Sequence, residues 1–534
     1  MTHRHAPTEL TPEERELEQK FLADANLFYG PDPEIMRSHD ISERTEREEE
    51  AISRVQDRAI FALLRSRLQS GMNESFEVME QMGAAPGAKW GDLIAGLFTA
   101  SGDLAMSSLG GVSIFSSLCH HPIRYIRKYW QNDPTVGIRD GDVFCHNDSR
   151  YGNIHNTDQS IIIPLFHDGE LIGWACAIVH EGENGAIEPG GMPVSAESPY
   201  DEGLKMSPFK CGENFQLKRD IVTFLQNSVR EPKLQFEDMK AKMFTCLRVK
   251  KRVDAVIAEF GVDTFIAAMR TTLEDTKEEA KRRIREWPDG TSRCVIVADS
   301  TLRENIAVKI QCEATKKGDE LTFDFRGSSP EFLNRTNNTV QSSLKGMIGQ
   351  LFLTFIWPDL PRNQGVFAPT KFLVDDKSVL NSSFEAPNAQ SMQTFFQAFV
   401  ACWVCVQKLQ YAAERKYTSV IAPWYANLNV FVFGGLTQHG EFVGNICADV
   451  NLMGGGARSD RDGENAMGPF FACYADGGEQ ELFEQELPFL QLTSRQFMTD
   501  NASFGKYRGG AGYEMILATK DSDFWGFMTS ATGA

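Results

Sequence analysis

The spacing of apolar and polar positions divides the chain into helical and strand-rich stretches. Thr11-Pro12-Glu13-Glu14 has the form of a capping box with Pro at the first helical position, which predicts a helix to about Asn26. Tyr29-Gly30-Pro31-Asp32-Pro33 ends it. A second helix is expected from Ser42 to Ser70, with Ile52, Val55, Ala59 and Leu63 as its buried stripe and Gly71 as its stop. Between Asp140 and Met192 the texture changes to short apolar runs parted by Gly and Asn, as strands and tight turns require. Helical spacing returns from Leu217 to Trp287 and is closed by the Pro and Gly of EWPDGT. Beyond it, Cys294–Ala298, Ile306–Cys312 and Leu321–Phe325 read as strands, and Gln341–Trp357 and Gln390–Glu414 as helices in a Gly-rich, β-rich half. Helices are segregated from strands, so the fold class is α+β. Four regions are expected: helical 1–100, a hairpin region 101–216 with the candidate site, helical 217–290, and β-rich 291–534.

Composition narrows the function classes. A chain of 534 residues with 42% apolar and 24% charged residues is folded, and too long for one compact domain. Its 54 basic and 73 acidic residues leave a net charge of -19, which argues against nucleic acid or an anionic membrane as partner. The most apolar stretches, Leu351–Trp357 and Phe395–Val406, fall short of the ~20 residues that span a bilayer. The acidic N-terminus lacks the apolar core of a signal peptide, and the 11 Cys form no dense framework; reduced thiols and a cytoplasmic address are expected.

The chemistry is concentrated in one stretch, since six of the ten histidines lie between His120 and His180. Ser160–Phe166 and Leu171–Val179 read as strands joined by Asp168-Gly169, a strong two-residue hairpin turn. With those two residues as the loop, His167 pairs with Glu170, Thr157 faces His180, and Asp158 faces Val179. The pairing returns His180 to the segment His155-Asn156-Thr157-Asp158. In an ideal strand His155 and Asp158 point to opposite faces; they converge only if the segment turns, which its Gly, Asn and Thr favour. Two imidazoles and a carboxylate so gathered suit a divalent metal with open positions, able to polarise a carbonyl and stabilise an enolate. Taken singly, His155 or His180 reads first as a satisfied polar residue at a strand end; only the convergent trio puts the metal reading ahead. His146 and Asp148 are the next candidates, as orienting groups or proton carriers. His120-His121 read as a cap or surface pair. Cys402 and Cys405 lie in an apolar helix and read as core. The stretches Gly454–Gly456 and Gly505–Gly510 offer backbone N–H groups to an anion, or are tight turns. No stretch matches the phosphate-binding G-x-x-x-x-G-K-[ST] pattern.

The runs GDVFCHNDSRYGNIHNTD, HDGELIGWACAIVH and GAIEPGGMP resemble the hydantoinase B family, in the form carried by the metal-bearing subunit of acetone and acetophenone carboxylases. Distant marks agree: KRRIREWPDGT, LTFDFRGSSP, GGGARSDRDG and FGKYRGGAGYE. The resemblance implies a cytoplasmic, biotin-independent, ATP-dependent ketone carboxylase acting on ketone and bicarbonate. In it, a hydantoinase A-like partner subunit handles ATP and a small further subunit completes a hetero-oligomer. It also implies metal ligands at His155, Asp158 and His180, with manganese favoured over zinc or magnesium. The missing phosphate loop agrees with ATP chemistry on the partner, and Met239-Lys240-Ala241 lacks the second Met of a biotin site. Alternatives are a hydantoinase or oxoprolinase-type subunit for ATP-driven amide-ring hydrolysis, and a non-catalytic scaffold. Where the acetone enzyme's subunit carries a His, this chain offers Ile114 or Phe115, which points to a larger ketone such as acetophenone. Relatives are expected to continue beyond FWGFMTSATGA, so the C-terminus reads as incomplete.

Overall fold

The computed structural model describes residues 10–24, 29–413, 420–423, 431–447, 453–465, 481, 484, 488–522 and 525–529. The ends expected at Asn26 and Glu414, and the last residues to Ala534, lie outside these.

A seven-stranded antiparallel sheet organises the N-terminal two thirds. Its strands are β1 (Leu93–Thr99), β2 (Leu104–Ser107), β3 (Val143–His146), β4 (Asp158–His167), β5 (Glu170–His180), β6 (Phe209–Glu213) and β7 (Gln216–Leu217), in the order β2-β1-β5-β4-β3-β6-β7. Side chains alternate between two cores, as the period of two demands. Ile161, Ile163, Ala175 and Ala177 face a layer of helices, Arg58–Met82, Pro232–Phe260 and Val262–Arg285. Ile162, Trp174, Cys176 and Ile178 face the opposite core, with the helices Gln341–Leu351 and Met392–Ala412. Burial on both faces explains why these strands read as nearly continuous apolar runs. A second sheet, β8 (Gly290–Ala298), β9 (Val308–Lys317), β10 (Glu320–Asp324) and β11 (Thr370–Leu373), packs on the Met392–Ala412 helix. Cys402 and Cys405 lie buried in that interface as expected, the Cys402 sulfur 3.6 Å from Cys312. The expected boundaries at 100 and 216 do not separate cores: β1 pairs with β5, and the helices of 217–290 cover the same sheet.

The expected Ser42–Ser70 helix is two, Glu46–Arg54 and Arg58–Met82, each with its own cap. Thr45 and Glu48 close a capping box, and Asp57 accepts from the N–H groups of Ala59 and Ile60. The second helix runs through Gly71. A Cβ there would lie 2.7 Å from Arg252 Cγ, so this glycine admits the neighbouring helix rather than stopping its own. The buried stripe is Phe61, Leu64, Leu68 and Met72; Ala59 and Leu63 face solvent.

His120 and His121 are 0% and 1% exposed, not a surface pair. Their helix, His120–Tyr125, lies beneath the segment at Ser38, whose carbonyl accepts from His120 Nε2 at 3.0 Å; His121 Nδ1 donates to Leu118 O at 2.9 Å. Burial pushes His120 well below the ordinary value, and takes His39 and His121 from 6.5 to about 3. With folded values below the unfolded one, their contribution to stability is complete above 6.5 and is lost as pH falls toward 3. His39 and His121 are each expected to remove ~1.4 kcal/mol per pH unit within that window. Urea unfolding followed from neutral pH down through this window should show that slope. A His39→Asn variant should show a shallower one, and an equal slope in both proteins contradicts the assignment.

Candidate metal centre

The site forms where β4 begins and β5 ends. Asp168, at φ 49°, and Gly169, at φ 82°, make the two-residue turn, and His167 pairs with Glu170 as expected. The register then slips by one between Leu165 and Phe166, so Asp158, not Thr157, stands opposite His180. A one-residue bulge is enough to bring the carboxylate opposite the imidazole, because successive residues of a strand point to opposite faces. Ahead of the strand, the Asp158 N–H donates to His155 O at 3.1 Å, the closure of a four-residue turn that folds His155 back over Asp158.

One ligand atom from each of His155, Asp158 and His180 lies within 4.8 Å of the others, and all three residues are buried. His155 Nε2 is 3.3 Å from Asp158 Oδ2, and His180 Nδ1 is 2.8 Å from Asp158 Oδ1. Thr157 Oγ1 lies 2.6 Å from His155 Nδ1 and fixes the ring so that Nε2 faces the carboxylate. Burial takes His155 down to about 4, Asp158 opposing and His180 adding to the fall. Burial would lower His180 also, but the Asp158 carboxylate overrides it and raises the imidazole above its ordinary value. Asp158 Oδ2 and His180 Nε2 are buried without a hydrogen-bond partner. A carboxylate at 0% exposure is balanced either by a proton shared with His180 or by a bound cation, and the two atoms without hydrogen bonds leave room for the second. The N, N, O donor set suits a divalent cation.

Residues that the spacing did not single out hold this geometry. The Asn153 side-chain amide nitrogen lies 2.7 Å from Asn147 O, 3.1 Å from His155 O and 2.5 Å from Asp158 O, its two N–H groups shared among the three carbonyls. The Asn147 amide donates to Asn156 O at 2.6 Å, and its own Oδ1 accepts from the Met206 N–H at 2.6 Å. The Asn-rich composition of the loop was their only signal. From the C-terminal half, Ser343 Oγ donates to Asn153 O at 2.6 Å and Asn388 Nδ2 to Ser149 Oγ at 2.8 Å. The His180 N–H donates to Asp92 O at 3.0 Å, and the Glu181 N–H to Thr157 O at 2.9 Å. A Cβ on Gly87 would stand 2.2 Å from His180 O, so the Pro86–Lys89 helix reaches this strand end only with glycine there.

His146 and Asp148 are not among the converging ligand atoms. His146 Nε2 donates to Asp148 O at 3.0 Å, and burial lowers its value to about 4. The Asp148 carboxylate caps the Ser149–Tyr151 turn through the Arg150 N–H and is gripped by the Arg150 guanidinium at 2.5–3.0 Å. Both shape the loop that carries His155. Elsewhere, the two Gly-rich stretches interlock as turns: the Gly510 N–H donates to Gly455 O at 2.8 Å and the Gly463 N–H to Arg508 O at 2.9 Å. Among the described residues no helix is long and apolar enough to cross a membrane.

Comparison with known proteins adds four findings. The hydantoinase B/oxoprolinase family model matches residues 57–531. The chain is 30% identical over 429 residues to the acetophenone carboxylase delta subunit of Aromatoleum aromaticum, covering 80% of this chain and 62% of that one. It is 27% identical over 387 residues to the caprolactamase subunit beta of Pseudomonas jessenii, covering 71% and 64%. The nucleotide-free structure of an ATP-dependent acetone carboxylase superposes with a TM-score of 0.83 at 26% identity, over 89% of this chain and 64% of that one. The chain thus spans less than two thirds of the length of each of these relatives.

Proposed function

Because the chain belongs to the hydantoinase B/oxoprolinase family, we propose that it is the metal-bearing subunit of an ATP-dependent, biotin-independent ketone carboxylase, with acetophenone ahead of acetone as substrate. The observation that carries the reading is the buried, converging His155–Asp158–His180 set, in which Asp158 Oδ2 and His180 Nε2 make no hydrogen bond. A divalent ion held there, manganese by preference, would supply Lewis-acid stabilisation of enolate oxygen charge.

The rest is work for the chain's own residues. Thr157 orients His155, Asn153 and Asn147 hold the loop backbone, and burial keeps bulk water from the ligand set, where a carbanion would otherwise be protonated. The absence of a phosphate loop favours ATP activation of bicarbonate, and of the ketone enol, on a hydantoinase A-like partner, with a small third subunit completing the hetero-oligomer. Free thiols at the described cysteines favour a cytoplasmic assembly. The preference for the aromatic ketone rests on the sequence alone, on Ile114 and Phe115 standing where the acetone enzyme's subunit is expected to carry a His; both are buried in the apolar core beside the Gln341–Leu351 helix.

The caprolactamase relative favours a second reading, ATP-driven hydrolysis of a cyclic amide at the same ligand set. Labelled bicarbonate separates the two. The chain, co-purified with its partner subunits and given ATP and acetophenone or acetone, is expected to place label in a β-keto acid. No label with either ketone, together with ATP-dependent opening of a lactam, removes the carboxylase reading in favour of the second.

A further inference from the structure

We propose that the cleft at the start of the Gln341–Leu351 helix is a binding site for a small oxyanion, bicarbonate or a phosphoryl group, set behind the loop that carries His155 and Asp158. The proposal rests on the carboxylase reading only for the identity of the anion.

Two cavities share a wall there. The outer one, about 170 Å³, is lined by Val340, Gln341, Ser382 and Ser383, with Arg37 and Lys377 at its rim. The inner one, about 10 Å³, has Val340 and Ser383 on one side and Arg150, Lys205 and Asn156 on the other. Asn156 lies between His155 and Thr157, so the inner wall is the candidate ligand loop itself. The inner recess has room for about one water-sized atom, and the outer cavity has room for a whole carbonate or phosphate.

The lining calls for an anion on three independent grounds. The helix, eleven residues long, begins after Val340 with no side-chain cap, and the N–H groups of a first helical turn are turned toward whatever occupies that end. Ser382 is 7% exposed and its hydroxyl has no partner; the Ser383 hydroxyl has none either. The Lys205 ammonium is shielded from water, lies 4.3 Å over the Tyr200 ring, and makes no hydrogen bond, alone among the lysines of the described residues in being buried and unpartnered. The carboxylates that face this region are engaged. Asp148 is held by Arg150, and Glu202 accepts the N–H groups of Asn388 and Ala389 at 2.5 Å each. Asp376 pairs with Arg37 at 3.2 Å. An oxyanion seated in the outer cavity, with one oxygen in the recess, satisfies the hydroxyls and the ammonium together and stands next to the ligand loop.

The test uses the full chain in its purified assembly, loaded with metal and titrated by calorimetry with inorganic phosphate and, separately, with bicarbonate. Saturable millimolar binding is expected, weakened about tenfold or more in Lys205→Met and retained in Lys205→Arg, with metal content and thermal midpoint unchanged. Loss of affinity for phosphate alone assigns the site to a phosphoryl group, and loss for bicarbonate alone assigns it to bicarbonate. Lys205-dependent phosphate binding in an assembly that incorporates no labelled bicarbonate keeps the anion site and removes the carboxylase reading. Equal affinities in wild type and Lys205→Met, or no saturable binding of either anion, overturn the proposal.

Discussion

On the proposed metal-centre reading, replacing Asp158 with Asn is expected to abolish divalent-ion binding and reduce the assembled enzyme to background activity. Asparagine keeps the shape but removes the charge that both imidazoles face, Oδ1 at 2.8 Å from His180 and Oδ2 at 3.3 Å from His155. Loss of a supporting hydrogen bond typically weakens a metal site ~10–100-fold, so loss of a ligand should exceed that range. Metal analysis after dialysis should fall from one ion per chain to under about a tenth of that, given a weakening beyond ~100-fold. A second readout does not involve activity. An ion that binds only the folded state stabilises it, by ~4 kcal/mol at a thousandfold excess over its dissociation constant, so added manganese should raise the wild-type thermal midpoint and leave the variant's unmoved. A variant that retains stoichiometric ion and the same thermal gain would falsify the ligand assignment.

The largest effect on stability is expected one residue beyond the site. Lys242, on the Pro232–Phe260 helix, pairs with Glu181, and both side chains are essentially sealed from water. Burial pushes the Glu181 carboxyl well above its ordinary range, and the Lys242 ammonium pulls it back. Changing Glu181 to Leu takes the paired carboxylate from a buried ammonium and leaves only the neighbouring Asp238, already engaged by the Ala84 and Ala85 N–H groups, at an expected cost of ~3–5 kcal/mol in chemical denaturation. The double variant Glu181→Leu with Lys242→Met should recover most of that loss, since an apolar pair of similar volume commonly replaces a buried ion pair at little cost. Additive losses in the double variant would show that the penalty comes from packing rather than from the orphaned charge. Metal affinity gives an independent check. Glu181 follows His180 and its N–H donates to Thr157 O, so the single variant should also loosen the ligand set.

Much of the site was legible before any coordinates. The Asp168-Gly169 turn, the apolar runs on either side and the turn-forming residues around His155 are local features, and local chemistry carries them. That reading gathered His155, Asp158 and His180, and the fold brings them together. It paired Thr157 with His180, however, because a bulge leaves no mark in a run of apolar residues; Asp158 takes that place through the slip at Leu165–Phe166. The Asn147 and Asn153 side chains were invisible for a related reason. A side-chain amide that bonds several backbone carbonyls across a loop has no sequence period to betray it.

Gly71 and His120-His121 show the other limit. A glycine inside a helical pattern and a histidine pair at a helix start have ordinary local meanings, a stop and a cap. Arg252 and Ser38, distant in sequence, give them different ones. Val340, Ser383, Arg150 and Lys205 likewise have no mutual signal along the chain, and only packing of the C-terminal half against the ligand loop puts them around one cleft. By itself the sequence determined the α+β class, the positions of the long helices and strands, and the three residues of the candidate metal set, because propensity, period and turn chemistry act between near neighbours. The tertiary structure decided the strand register, the burial of the histidines and the cavity behind the loop, because these depend on contacts between segments that no local pattern encodes.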